Sequence, residues 1–127
     1  MTALVKYPFT YKNENFITEI LSENKVLAFP TETVYGLGGN AFSKEVADRI
    51  YLIKQRPRNK PFPILITLKW IKKLCLWNDQ RIDNLIEAFW PGPLTLILKI
   101  NPDLPNHLKN NSGALAVRYS SSNIVQR

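Results

Sequence analysis

The spacing of apolar residues changes period several times along the chain, and each change predicts an element. Phe16, Ile17, Ile20 and Leu21 recur at helical spacing behind Asn13, a candidate cap, which predicts a helix over 14–24. Lys25 to Phe29 reads as a buried strand ended by Pro30. Residues 31–42 are rich in Thr and Gly and read as a connection. Ser43 is a candidate cap for a helix to about Gln55. Val46, Ala47, Ile50, Tyr51 and Ile53 form its buried stripe, and Pro57 stops it. Ile64 to Thr67 reads as a strand. A helix near 69–76 gathers Trp70, Ile71, Leu74 and Cys75. Asp79 caps another that turns Ile82, Leu85, Ile86 and Phe89 inward. Trp90-Pro91-Gly92-Pro93 is a rigid turn. Leu94 to Ile100 and Gly113 to Tyr119 are strands on either side of a polar loop, 101–112, and Ser121 or Ser122 can cap a last helix. Helices alternate with strands, so the class is α/β with a core centred on a sheet.

The 127 residues are 45% hydrophobic and 21% charged, which argues for one domain over 1–127 and against disorder. The longest apolar run is broken by Thr95 and Lys99, so no segment spans a membrane, and the first fifteen residues show no secretory signal. One cysteine, Cys75, and one histidine, His107, rule out an internal disulfide and a Cys- or His-rich metal site. A cytoplasmic setting is the default. The net charge of +7 is concentrated: nine basic and two acidic residues lie between Lys44 and Lys73, which accounts for the whole excess. A solvated basic face and an anion site both fit such a stretch. Lys54-Gln55-Arg56-Pro57-Arg58-Asn59-Lys60-Pro61 favours the anion site, because cations on a stiff, non-helical turn are already held in place.

The segment Phe29-Pro30-Thr31-Glu32-Thr33-Val34-Tyr35-Gly36-Leu37-Gly38-Gly39 leaves a strand and precedes a helix, where α/β sheets bind ligands. It has no GK[ST] and no third glycine in place, so it is neither a P-loop nor a dinucleotide fingerprint. Two readings stay open. One is a polar pocket whose glycines admit a ligand to the backbone; the other is a Thr-rich turn closed by its own hydrogen bonds. Glu32 can act as a base or a magnesium ligand, or hold the turn, and we favour the last. Trp70, Trp77 and Trp90 read as core rather than stacking platforms, Cys75 as a buried small hydrophobe, and His107 as a solvated residue rather than a base.

FPTETVYGLGGNA, IKQRPRNKP, FWPGPLTLIL and ALAVR, in this order and spacing, resemble the Sua5/YrdC family of threonylcarbamoyl-adenylate synthases, from about residue 13 onward. The resemblance implies a twisted mixed sheet flanked by helices around a concave basic cavity. It implies a nucleotidyltransferase that joins L-threonine, bicarbonate or CO2, and ATP with Mg2+ into L-threonylcarbamoyl-AMP and pyrophosphate. That product serves the modification of adenosine 37 in tRNAs reading codons that begin with A, through transfer-complex proteins downstream. By position, Thr33 and Arg118 are implied to contact threonine, with Tyr35 and Thr31 on the same loop. Lys54 and Arg56 are implied to meet the ATP phosphates, and Lys60 to contact the nucleotide. No catalytic residue and no protein metal ligand is assigned. The alternatives are a non-catalytic module that binds tRNA or double-stranded RNA, and an inactive remnant.

The chain departs from the family pattern in places. Ser120 stands where proline is common, Ala114 where threonine is frequent, and Leu65 where some members carry histidine. The chain ends at Arg127, before the helix and strand that lead to the family's Ser-x-Asn motif. Ser121-Ser122-Asn123 comes too early to be that motif. Lacking those final strands, the sheet is expected to expose an apolar face or edge. The geometric expectation is that the hydroxyl-bearing bend and the cationic elbow face each other across one hollow.

Overall fold

The computed structural model describes residues 11–109 and 112–127. The first ten residues, which are most of the stretch that shows no secretory signal, lie outside the described part, as do 110 and 111 of the polar loop. Five α-helices are described: α1 (Tyr11–Ser22), α2 (Lys44–Lys54), α3 (Leu68–Leu74), α4 (Gln80–Phe89) and α5 (Asn123–Gln126). The strands are β1 (Leu27–Pro30), β2 (Tyr35–Gly38), β3 (Ile64–Leu65), β4 (Cys75–Leu76), β5 (Leu96–Ile100) and β6 (Ala114–Arg118). They form two sheets. β1 and β2 make an antiparallel ribbon, and the other four make a mixed sheet in the order β3-β6-β5-β4, with only β3 and β6 parallel.

One face of the mixed sheet carries the core. Leu96, Leu98 and Ile100 of β5 alternate with exposed Ile97 and Lys99, and Leu115 and Val117 of β6 lie opposite them in register. Ile71 and Leu74 of α3, Cys75 and Trp90 pack on this face, and Ile82 and Ile86 of α4 are half-buried against it. The period-2 pattern therefore places Thr95, Ile97 and Lys99 on the opposite face, along with Ala114, Ala116 and Arg118.

The caps are where side-chain chemistry predicts them. Ser43 Oγ accepts from Val46 N at the start of α2, and Asp79 accepts from Arg81 N at the start of α4. At the other end of α2, Gln55 takes a left-handed conformation (φ 49°).

Several sequence expectations are corrected. α1 starts at Tyr11, so Asn13 lies inside it, and its end passes through Asn24 at positive φ. The 31–42 connection contains a strand, β2. The 69–76 helix ends at Leu74, and Cys75 and Leu76 pair with β5 instead. Ile53 and Phe89 are exposed, and so is Leu85 at 38%. The hydrophobic stripe on α4 is thus covered only through Ile82 and Ile86: periodicity tells which residues share a face, not whether anything lies on it. Trp90 is buried and Trp77 half-buried, but Trp70 is 40% exposed, beside Phe42. His107 is half-buried, not solvated, because its Nε2–H donates to Ala41 O at 2.9 Å.

The two faces of the sheet should respond differently to truncation. Leu115→Ala, at a 1% exposed position, should destabilise the chain by about 2–5 kcal/mol. Ile97→Ala, at 69% exposure, should change stability by about 0.5 kcal/mol or less. Denaturant midpoints measure both.

Candidate functional site

Thr31–Val34 is the four-residue link between β1 and β2, and Thr31 closes it. Its Oγ1 donates to Val34 O at 2.6 Å and accepts from Thr33 N at 3.2 Å. That leaves the Thr33 hydroxyl as donor in the 3.1 Å contact between the two threonines. The local hydrogen bonds are those of a threonine turn. Thr33 and Tyr35 are exposed at its tip. The glycines serve the protein's own packing. A Cβ on Gly36 or Gly38 would meet the Phe29 ring at 3.0–3.2 Å, and one on Gly39 would lie 2.7 Å from Val46 Cγ1. An aromatic ring from the neighbouring strand thus lies over Gly36 and Gly38.

Glu32 points away from the tip and ties the turn to the end of β6. Its Oε2 accepts a short hydrogen bond from Ser120 Oγ, and its Oε1 lies 3.7 Å from Arg118 Nη1. The Glu32 side chain is 14% exposed, and Oε1 has no hydrogen-bond partner among the described residues. Burial pushes this carboxyl up. The Ser120 hydroxyl, the backbone amides of Glu32 and Ser122, and the Arg118 guanidinium outweigh burial and hold it below its ordinary value of 4.5. Of the roles considered for Glu32, the geometry is that of a residue holding the turn. The same seam is reinforced by Ser122 Oγ donating to Pro30 O at 3.4 Å and by Gln126 Nε2 donating to Ser120 O at 2.8 Å.

Arg118 is gripped from a second side. Its Nε donates to Thr95 Oγ1 at 2.9 Å. The register explains the contact: Leu96 pairs with Val117, so the next step outward sets Thr95 opposite Arg118 on the same face. The Arg118 side chain keeps 23% of its surface exposed. Sequence reasoning missed both Thr95 and Ser120 as partners. The signals were present, in the threonine of the PLT motif and in the serine at a position where proline is common.

The basic segment is partly neutralised by itself. Lys44 and Arg58 both pair with Asp48, and Arg49 pairs with Glu45 at 2.9 Å. Lys44 and Arg58, both hydrogen-bonded to Asp48, hold that exposed carboxyl below its usual range. Arg56 is occupied by the backbone. Its Nε donates to Lys60 O at 2.7 Å and Nη2 to Pro61 O at 3.2 Å, with the guanidinium over the Phe62 ring. Tyr51 OH reaches the same Lys60 carbonyl at 3.2 Å. Arg56 therefore braces the elbow, while Lys54 and Lys60 project without an acidic partner among the described residues.

The structure brings Thr31, Glu32, Thr33, Arg118 and Ser120 into one linked group. The elbow reaches that group through β3, where Leu65 pairs with Arg118. Neither of two described cavities is walled by Thr33, Arg56, Lys60 or Arg118. The one of roughly 320 Å³ lies between the loop before α2, β3, α3 and α5, and the other, of roughly 590 Å³, sits by Lys99 and Lys109. Cys75 is sealed, and burial pushes its thiol up to about 11, so it supplies no nucleophile. No cluster of three His, Cys, Asp or Glu able to hold a metal exists among the described residues. A protein-built magnesium cage does not fit them. No described helix is long and apolar enough to cross a membrane. The Arg118 guanidinium thus lies between Glu32 and the half-buried Thr95 hydroxyl, and Glu32 belongs to the turn whose tip exposes Thr33.

Residues 19–127 match the Sua5–YciO–YrdC family, described as "Telomere recombination". The chain belongs to this family. It is similar to a threonylcarbamoyl-AMP synthase of Pyrococcus abyssi, 37% identical over 83% of this chain and 31% of that protein. It is also similar to one of Sodalis glossinidius, 34% identical over 84% of this chain and 58% of that protein. Its fold superimposes on the crystal structure of P. abyssi Sua5 complexed with L-threonine. The TM-score is 0.86 at 32% identity, over 95% of this chain and 36% of the other. The chain thus spans between about a third and three fifths of the length of these relatives.

The Glu32 tie should have a measurable pH signature. A carboxyl held below its unfolded value stabilises the fold above that value, and the contribution disappears as pH falls through the folded pKa. Glu32→Gln should therefore be less stable than the unmodified chain at neutral pH. The difference should shrink as pH drops below about 4.5, as read from urea midpoints across an acid series.

Proposed function

We propose that this chain carries the threonine- and ATP-handling part of a threonylcarbamoyl-AMP synthase. The observation that carries the reading is the Arg118–Glu32–Thr33 group. It sets a partly exposed guanidinium beside a hydroxyl-bearing turn, on a fold shared with a Sua5 structure complexed with L-threonine. In this reading Arg118 takes the substrate carboxylate, Thr33 faces the substrate hydroxyl or amine, and Tyr35 and Thr31 complete the turn. Lys54 and Lys60 meet the nucleotide phosphates, and Arg56 fixes the elbow that presents them.

The chemistry suits these residue types. The threonine amine adds to CO2, with bicarbonate as its source, and loses a proton to give a carbamate. A carbamate oxygen then attacks the α-phosphorus of ATP, and pyrophosphate leaves. The protein's share is to hold two reactants close and to offset charge on the phosphates, which cations on a preorganised loop can do. Magnesium enters this reading only as the counterion of ATP, and no step is assigned to it. The product would supply the threonylcarbamoyl group for adenosine 37 of tRNA, through transfer-complex proteins. Threonine binding without turnover would favour a module that holds ligand or RNA instead.

Incubation of the chain with ATP, L-threonine, bicarbonate and Mg2+ should release pyrophosphate above a threonine-free control. Arg56→Ala should lower that rate by about 100-fold, because the elbow that positions the phosphate-binding lysines loses its brace. Absence of threonine-dependent pyrophosphate from the unmodified chain would overturn catalysis by this chain.

A further inference from the structure

We propose that Thr95 is a positioning residue that sets specificity for a free α-carboxylate, acting through Arg118. The inference deepens the reading of Arg118 as the carboxylate contact and rests on it. A long arginine side chain on an open sheet face has many rotamers, and its guanidinium finds an anion only if it is aimed. Here it is gripped from two directions. Thr95, one residue before β5 and facing Arg118 where the β5–β6 register is carried one step outward, accepts from Nε at 2.9 Å, and Glu32 stands 3.7 Å from Nη1. Nη2 makes no hydrogen bond to the described residues, and the side chain stays partly exposed. The donors left over therefore point in a fixed direction.

The Thr95 grip is distinct from the Glu32 tie. Glu32 carries charge and also joins the hairpin through Ser120, so its loss would disturb the fold around the turn. Thr95 offers one neutral acceptor from the strand beside Arg118, and its removal leaves the charge balance untouched. The same face carries Ala116 two residues back along β6, whose short side chain leaves the sheet surface low beside Arg118. A ligand lying on that floor would meet Arg118 end-on, with its carboxylate read by hydrogen-bond direction as well as by charge.

The test compares Thr95→Val, which keeps the shape and removes the acceptor, with Thr95→Ser, which restores the acceptor. Calorimetric titrations use L-threonine and L-threoninamide, in which a neutral amide replaces the carboxylate. The unmodified chain should prefer L-threonine. Thr95→Val should weaken L-threonine by about tenfold while leaving L-threoninamide unchanged, and Thr95→Ser should recover the preference. Equal weakening of both ligands by Thr95→Val, or no weakening of either, would overturn the inference. A ligand-free readout separates this from failure of the underlying reading. The Arg118 Nε proton should be protected from exchange in the 15N NMR spectrum of the unmodified chain and of Thr95→Ser, and not in Thr95→Val. An unprotected Nε proton in the unmodified chain would overturn the grip itself. A protected one with no threonine binding would overturn the carboxylate reading of Arg118 and leave the grip standing.

Discussion

A largely buried carboxylate must be compensated, and meeting that need at Glu32 joins the two halves of this structure. The β1–β2 ribbon has only four residues per strand and would be marginal alone. It shares no strand pairing with the four-stranded sheet. Glu32 supplies a link between them, because its charge is offset in large part by Ser120 and Arg118 at the end of β6. The same interaction carries the threonine turn to the strand that bears the guanidinium. The seam and the candidate site thus share one side chain.

The elbow after α2 shows the same economy on a smaller scale. Two donors, Arg56 Nε and Tyr51 OH, converge on the Lys60 carbonyl. Tyr51 belongs to the buried stripe of α2, so the elbow is referenced to the core rather than left to its own stiffness. The density of positive charge in the sequence overstates what is available to a ligand. Both acidic residues of the stretch are already paired with cations, and one arginine is engaged by backbone carbonyls. The lysines that remain define the usable surface more narrowly than the net charge does.

What could be read in advance follows from what is local. α2 and α4 were legible because Ser43 and Asp79 are strong caps ahead of clear periodicity. β5 and β6 were legible as apolar runs. β2 was not, since Tyr35-Gly36-Leu37-Gly38 has no β-branched residue and two glycines. It is a strand because Phe29 lies over those glycines, a contact across the ribbon. The motif residues Thr33 and Arg118 could be named from the resemblance, but Thr95 depends on register, and register is a property of the folded pair. The self-pairing of the basic helix was missed, although the i,i+4 spacing of Lys44 with Asp48 and of Glu45 with Arg49 signals it.

The position of Cys75 has a practical consequence. It is the single thiol of the sequence, it is 2% exposed, and it lies in β4, a two-residue strand at one edge of the mixed sheet. An alkylating reagent reaches it only when that border peels from β5. The labelling rate therefore counts openings of the border, giving a built-in clock for local fraying without any engineered probe.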